Sequence, residues 1–402
     1  MKEGLEYKMI ATVCMLVAAL CATNAAHADS GVTLYGIMDA GVMYLSHSTP
    51  GFNGTQTGTG RQFALTNGGY SPSVFGLKGS EDLGGGLKAI FKLESGISLA
   101  NGGFDNPPAN NGLFNRTAEV GLTNQYGTLK AGLQLSPFFE TIYDLDPRSV
   151  SQFGSMLTTV IDNSLIAATF MPNALSYTSP DIGGFEFAGL FGLGGVAGDF
   201  QNGRSWSLSA KYTNGTFLAA ASYISVNNAS DTGLAAIGGL YPANVRAYTA
   251  GASYKFGSVI VKGSFTNFKA NSVPVSVNPA LTYSTDTSVN VYSGGADWFV
   301  LPTLELNGAV YYQQDRVHSG DRSITVAAGT QYFLSKRTAL YAQVAVVNNK
   351  CSASGQCLGS GLSVESGGSA IGGVEGLGTA AAGLGLPPGT TVGADVGIRV
   401  RF

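Results

Sequence analysis

Along most of this chain hydrophobic and polar residues take turns. In "LKAIFKLESG" (87–96), Leu87, Ala89, Phe91 and Leu93 fall on one side, and Lys88, Ile90, Lys92 and Glu94 on the other. "SWSLSAKYT" sets Trp206, Leu208, Ala210 and Tyr212 against Ser205, Ser207, Ser209 and Lys211. The final "VGADVGIRVRF" sets Val392, Ala394, Val396, Ile398, Val400 and Phe402 against Gly393, Asp395, Gly397, Arg399 and Arg401. A period of two is that of a β-strand with one apolar face.

From Gly31 onward this unit repeats, and the connections come in two kinds. Tight ones fall at 80–86, 123–127, 179–184, 213–215, 256–257, 301–302 and 335–337. Long ones fall at about 46–72, 98–113, 136–172, 193–203, 227–244, 270–285, 316–321 and 351–388. The two kinds alternate strictly. The spacing predicts sixteen strands, the first opening near Thr33, the second near Ser73 and the last near Thr390. Short turns at one rim and long loops at the other are the pattern of an even-stranded, up-and-down antiparallel barrel.

Sixteen strands enclose a lumen too wide for side chains to fill. The apolar stripe must therefore face outward, towards lipid or a neighbouring subunit, and the polar stripe must line water. The fold class predicted is all-β: a transmembrane sixteen-stranded barrel with periplasmic turns and extracellular loops. Aromatic residues gather near segment ends (Tyr35, Tyr44, Tyr212, Tyr254, Phe256, Trp298, Phe299, Tyr332, Phe333 and Phe402), where interface girdles belong. A soluble β-sandwich or propeller explains the alternation but not the turn rhythm.

Composition sharpens this picture. Of 402 residues, 12% are charged, about half the roughly 25% of a soluble protein. There are 57 glycines, and the mean hydropathy is only +0.15. After the leader, no segment reaches the roughly 18 consecutive apolar residues of a membrane helix. The net charge of −3, without a basic patch, argues against a nucleic-acid partner.

Residues 1–28 form the expected cleaved secretory signal, leaving 29–402 as the barrel. Lys2 and Lys8 precede an apolar core from Ile10 to Ala22, and Ala26-His27-Ala28 supplies a small-x-small cleavage site. Met9 is an alternative start. Cys14 and Cys21 leave with this segment. Cys351 and Cys357 remain, five residues apart in a Gly/Ser stretch. An exported chain meets an oxidising compartment, so a disulfide is expected there rather than a metal site, which would need a nearby His or further Cys. The histidines, His27, His47 and His318, stand singly, and no G-x-S-x-G, H-E-x-x-H or P-loop occurs. An enzyme is not expected, nor a cofactor.

Several blocks resemble the general diffusion porins of β-proteobacterial outer membranes. They are "SGVTLYGIMDAGV" (30–42), "FGLKGSEDLGGGLKAIFKLESG" (75–96), "FNRTAEVGLTNQYGTLKAGLQ" (114–134), "YTSPDIGGFEFAGLFG" (177–192), "LSKRTALYA" (334–342) and the final "VGIRVRF". The resemblance spans essentially the whole chain after the leader. It implies a homotrimer in the outer membrane, in contact with lipid and lipopolysaccharide. Each barrel would pass ions and small hydrophilic solutes by passive diffusion. It also implies that Phe402 is part of the signal read by the barrel-assembly machinery.

The resemblance further implies that the third long loop folds inward and narrows the channel, its acids facing a basic ladder on the opposite wall. A transverse field across a narrow throat sorts ions by sign. The third loop begins "SPFFETIYDLDPRSVSQFG" and carries Glu140, Asp144, Asp146, Arg148 and later Asp162. On the wall, Arg116, Lys78 and Lys130 are expected in lumen phase, Tyr35 at the constriction, and Arg61 of the first loop within reach of the mouth. Where the family has three further arginines this chain has Val74, Leu133 and Ser176. A less basic throat, with weaker anion preference, is the expectation. Arg399 and Arg401 are expected outside the narrowest part.

Strand phase places Thr117 and Glu119 on the outer face, opposite Arg116 and Ala118. A lipid-facing carboxylate is costly. The options are a subunit interface, a position near the rim, or a bulge. Tyr143 could add an aromatic rung beside Tyr35 for a more specific channel. The Gly/Ser/Ala-rich eighth loop (351–388) is expected either as a flexible surface tail or as a cover over the mouth.

Overall fold

The computed structural model describes residues 31–48, 60–104, 112–162, 169–227, 242–272, 287–317, 320–350 and 389–402. The leader, Cys351, Cys357 and the eighth loop (351–388) lie outside the described residues.

The strands are β1 (Gly31–Ser48), β2 (Gly60–Asn67), β3 (Val74–Gly84), β4 (Leu87–Gly96), β5 (Thr117–Asn124), β6 (Gly127–Leu135), β7 (Phe170–Thr178), β8 (Phe185–Gly192) and β9 (Ser205–Thr213). They continue as β10 (Phe217–Asn227), β11 (Pro242–Phe256), β12 (Val259–Ser272), β13 (Thr287–Leu301), β14 (Leu304–Asp315), β15 (Arg322–Phe333), β16 (Thr338–Lys350) and β17 (Gly389–Arg401). Neighbours pair antiparallel, and β17 returns to β1, with Ile37 opposite Arg401 and Val42 opposite Val396. The sheet therefore closes. Closure leaves no row of unpaired backbone groups, which a strand structure in lipid cannot tolerate.

β2 and β3 are two halves of one stave. Both pair with β1: β2 from Ala40 to Ser48, and β3 from Gly31 to Ile37. The barrel thus has sixteen staves, the second interrupted at 68–73. The first long connection is correspondingly shorter than the pattern suggests, because pairing resumes at Gly60. The break has a local cause. Gly68 adopts φ +85°, and Pro72 has no N–H to give to a ladder. The freed donors find Asp39 instead. Its carboxylate accepts the N–H of Gly69 (3.1 Å) and of Ser71 (2.8 Å).

The apolar stripe faces outward, as the alternation predicts. Val32, Leu34, Phe63, Val120, Leu208, Val344 and Val396 are all exposed on the wall of the single barrel. Three aromatics assigned to the girdle do not belong there: Tyr35 points inward to Glu94, and two more change sides on β13 and β15. Trp298 and Tyr332 point outward, but their neighbours Phe299 and Phe333 line the lumen. A one-residue step decides the face.

One part of the inner wall is apolar, and it receives the third loop. A cross-strand row runs Ile224–Ala247–Phe268–Val289 across β10 to β13. Against it lies α1 (Pro137–Leu145), whose Phe138, Ile142 and Leu145 are buried. Ser136 caps the helix, its Oγ accepting the N–H of Phe139 (3.2 Å), and Pro137 opens the first turn. The same turn is fixed to the wall by the N–H of Phe138 donating to Ser207 Oγ (3.1 Å). Each buried side chain of this kind contributes about 1.5–3 kcal/mol. A short second helix, α2 (Met156–Asp162), completes the loop.

Candidate functional site

Helical spacing gives α1 two faces. Phe138, Ile142 and Leu145 meet the wall, while Glu140, Tyr143 and Asp144 point into the lumen. Beside the loop lies a cavity of about 640 Å³. Its charged lining comprises Lys92, Arg116, Lys262, Arg399 and Arg401 with Glu94, Asp297 and Glu305. A second space of about 350 Å³, nearer the tight-turn rim, is lined by Lys78, Lys92, Glu119 and Lys130.

Most of these charges are paired on the wall. Glu94 receives Arg116 on Oε1 (3.1 Å), while its Oε2 meets Lys92 (3.2 Å) and accepts the hydroxyl of Tyr35 (2.8 Å). Lys130 meets Glu119 at 3.1 Å. Lys211 bridges Asp144 of the loop (3.4 Å) and Glu186 of β8 (3.0 Å). Lys78 and Lys92 also lie over the Tyr35 ring, at 5.4 and 6.0 Å from its centroid. Glu140 sits among Lys130, Lys211, Asp144 and Glu186. Loss of hydration within the barrel lumen pushes its carboxyl above the ordinary value, the two lysines opposing and the two acids adding.

The structure brings Glu140, Asp144, Arg116, Lys130, Lys78 and Tyr35 to the lumen. It moves three other assignments. Arg61 shares the outward phase of Phe63 and Leu65 on β2, so it does not reach the pore mouth. Asp146 and Arg148 are buried anchors of the loop, not pore-lining charges. Asp146 accepts the Tyr311 hydroxyl (2.6 Å) and the Val150 N–H (2.6 Å). Arg148 is 0% exposed and donates to Asn307 Oδ1, Gln343 Oε1 and the Phe153 carbonyl.

Glu119 faces the lumen as well. Val120 and Leu122 carry the outward phase of β5, so Thr117 and Glu119 point in. Arg116 precedes the strand and is still held at the lumen by Glu94, so two consecutive residues, Arg116 and Thr117, share one side. Counting the alternation back from Arg116 shifts the whole strand by one. Of the positions lacking a family arginine, Val74 and Ser176 face inward, Ser176 bonding to Gln134. Leu133 pairs with outward Ala118 and leaves the inward place to Gln134.

Arg399 and Arg401 line the same cavity as Phe139 and Tyr143 of the loop, nearer the throat than expected. Tyr70, carried inward by the broken stave, lies under the Arg399 guanidinium, 4.8 Å from ring centroid to Cζ. No sequence signal singled out Tyr70, because it falls within the long connection expected at 46–72. The Phe402 ring covers Gly36, and the two residues exchange backbone hydrogen bonds of 3.1 Å.

The sequence profile of the Gram-negative porin family matches residues 12–352. The chain belongs to the Gram-negative porin family. This porin is 31% identical over 356 residues to outer membrane porin protein 32 of Delftia acidovorans, covering 83% of this chain and 88% of that one. It is 28% identical over 372 residues to an outer membrane porin protein of Bordetella pertussis, covering 83% and 94%. Among solved structures it is similar to an anion-selective porin from Comamonas acidovorans, with a TM-score of 0.71, 26% identity, and coverage of 93% and 100%. The porin is thus an outer-membrane β-barrel that forms a channel, and its loop helix stands in that channel.

Proposed function

We propose that this channel passes ions and small hydrophilic solutes by diffusion, without chemistry of its own, through a throat set by Glu140, Tyr143 and Asp144 on one side. Arg116, Lys130, Lys211 and Tyr35 face them, and Lys78 stands below. Its anion preference is weaker than that of an anion-selective porin such as the one from Comamonas acidovorans. One observation carries this: Arg116, Lys130 and Lys211 are each paired with a carboxylate, so their fields are largely cancelled. Reversal potentials across a planar bilayer in a potassium chloride gradient test it. A small displacement from zero is expected; a strong anion preference contradicts the reading.

Around the channel, residues 1–28 serve as a cleaved export signal, and Cys351 and Cys357 form a disulfide. The barrels assemble as a homotrimer in contact with lipopolysaccharide, and Phe402 is read by the assembly machinery. Support comes from the leader's composition, from the oxidising compartment it leads to, and from the exposed apolar wall.

A further inference from the structure

A pore wall that only holds water has no use for apolar rings, because apolar surface facing water is unfavourable. Yet Ile37, Phe299 and Phe333 keep accessible surface in the cavity beside the loop, next to arginines and to the edges of the buried Val74, Phe139 and Phe170. The strand registers set them side by side. One inward row runs Val74–Ile37–Arg401 across β3, β1 and β17. Another runs Phe333–Ala339–Arg399 across β15, β16 and β17.

These arginines differ from the paired cations of the throat. Neither Arg399 nor Arg401 forms an ion pair among the described residues. Arg399 is 5% exposed and donates only to neutral oxygens, Ser71 Oγ (2.9 Å) and Gln331 Oε1 (2.6 Å). Arginine already stacks on rings twice in this cavity, Arg399 on Tyr70 at 4.8 Å and Arg116 on Phe170 at 4.9 Å. A nearly dehydrated guanidinium with spare N–H groups recognises a planar carboxylate strongly. Apolar neighbours on the same rows favour a solute whose remainder is a flat hydrocarbon. Chloride brings the charge but neither the planar fork nor the ring, and a sugar brings none of these.

Resting on the channel reading, we propose that this cavity is a transient binding site for aromatic monocarboxylates of the size of benzoate. The carboxylate sits on Arg399 and Arg401, and the ring lies against Ile37, Val74 and Phe333. The porin then favours such anions over equally small solutes that lack either the charge or the ring.

The test is chloride current through the full-length porin in a planar bilayer, with benzoate added at neutral pH. Current falls saturably with benzoate, at a half-effect concentration at least tenfold lower than for acetate or cyclohexanecarboxylate, and benzyl alcohol has no effect. Arg399→Gln raises the half-effect concentration about tenfold. Arg401→Gln, at an exposed side chain, and Phe333→Ser each raise it severalfold, and the outward-facing control Arg61→Gln leaves it unchanged. Benzoate acting no better than acetate, cyclohexanecarboxylate matching benzoate, or all three site variants retaining the effect overturns the proposal while the channel reading stands. Absence of any chloride current overturns both.

Discussion

Glu94 accepts three partners at once, Arg116, Lys92 and Tyr35, and so fixes how much charge this wall shows to a passing ion. Removing Arg116 leaves Glu94 with one close cation in place of two. Arg116→Ala is therefore expected to move the reversal potential towards cation preference, and an unchanged potential would take Arg116 out of the field. Glu140 gives a pH dependence of definite sign. Its carboxyl is held above the ordinary value by loss of hydration within the lumen. Lowering the pH protonates it before freely exposed carboxylates, removes a negative charge from the throat and shifts selectivity towards anions. Reversal potentials recorded from pH 7 to pH 5 show the shift, and Glu140→Gln abolishes most of it. The residue scale is also where reading the sequence slipped most. Glu119 lies on the inner face because Arg116, just before the strand, is also held at the lumen and breaks the period of two, whereas Leu133 keeps the outward phase of Leu129, with Lys130 and Gln134 inward. Alternation says nothing about where it is interrupted.

The third loop behaves as an element with its own core. α1 and the inner wall share one apolar cluster, and Asp146 and Arg148 pin the segment after the helix. In the sequence these two look like further pore charges, since a charge in a loop shows no burial. What separates them from Glu140 and Asp144 is the end of the helix at Leu145, after which the chain turns to the wall. Arg148→Ala leaves Asn307 and Gln343 without their charged donor and is expected to cost about 1–3 kcal/mol. Its checkable sign is a lower temperature for loss of the folded band on electrophoresis, with noisier single-channel current from a loosened loop. Leu145→Ala opens a cavity under the helix and is expected to cost about 2–5 kcal/mol by the same assay. The broken second stave could not be foreseen as an element. "NGGYSPS" reads as loop, and only the Asp39 carboxylate, distant in sequence, turns it into a fixed inward fold.

At the scale of the whole molecule the sequence was most informative. Strand number, the turn rhythm, closure through the last strand and the outward apolar face all follow from periodicity and connection length, which every stave repeats. A misread residue in one strand is outvoted by the others. The inward apolar row that receives the loop was not legible, since alternation with both faces partly apolar leaves the side undecided. At this scale the porin is a closed barrel whose open section is set by the third loop. Swelling of liposomes containing the porin, in uncharged sugars of graded size, tests it most directly. Rates are expected to fall steeply with size to a cut-off, without regard to stereochemistry, and the cut-off to move to larger sugars in Tyr143→Ala. Absence of swelling, or rates ordered by sugar identity and not by size, would contradict it.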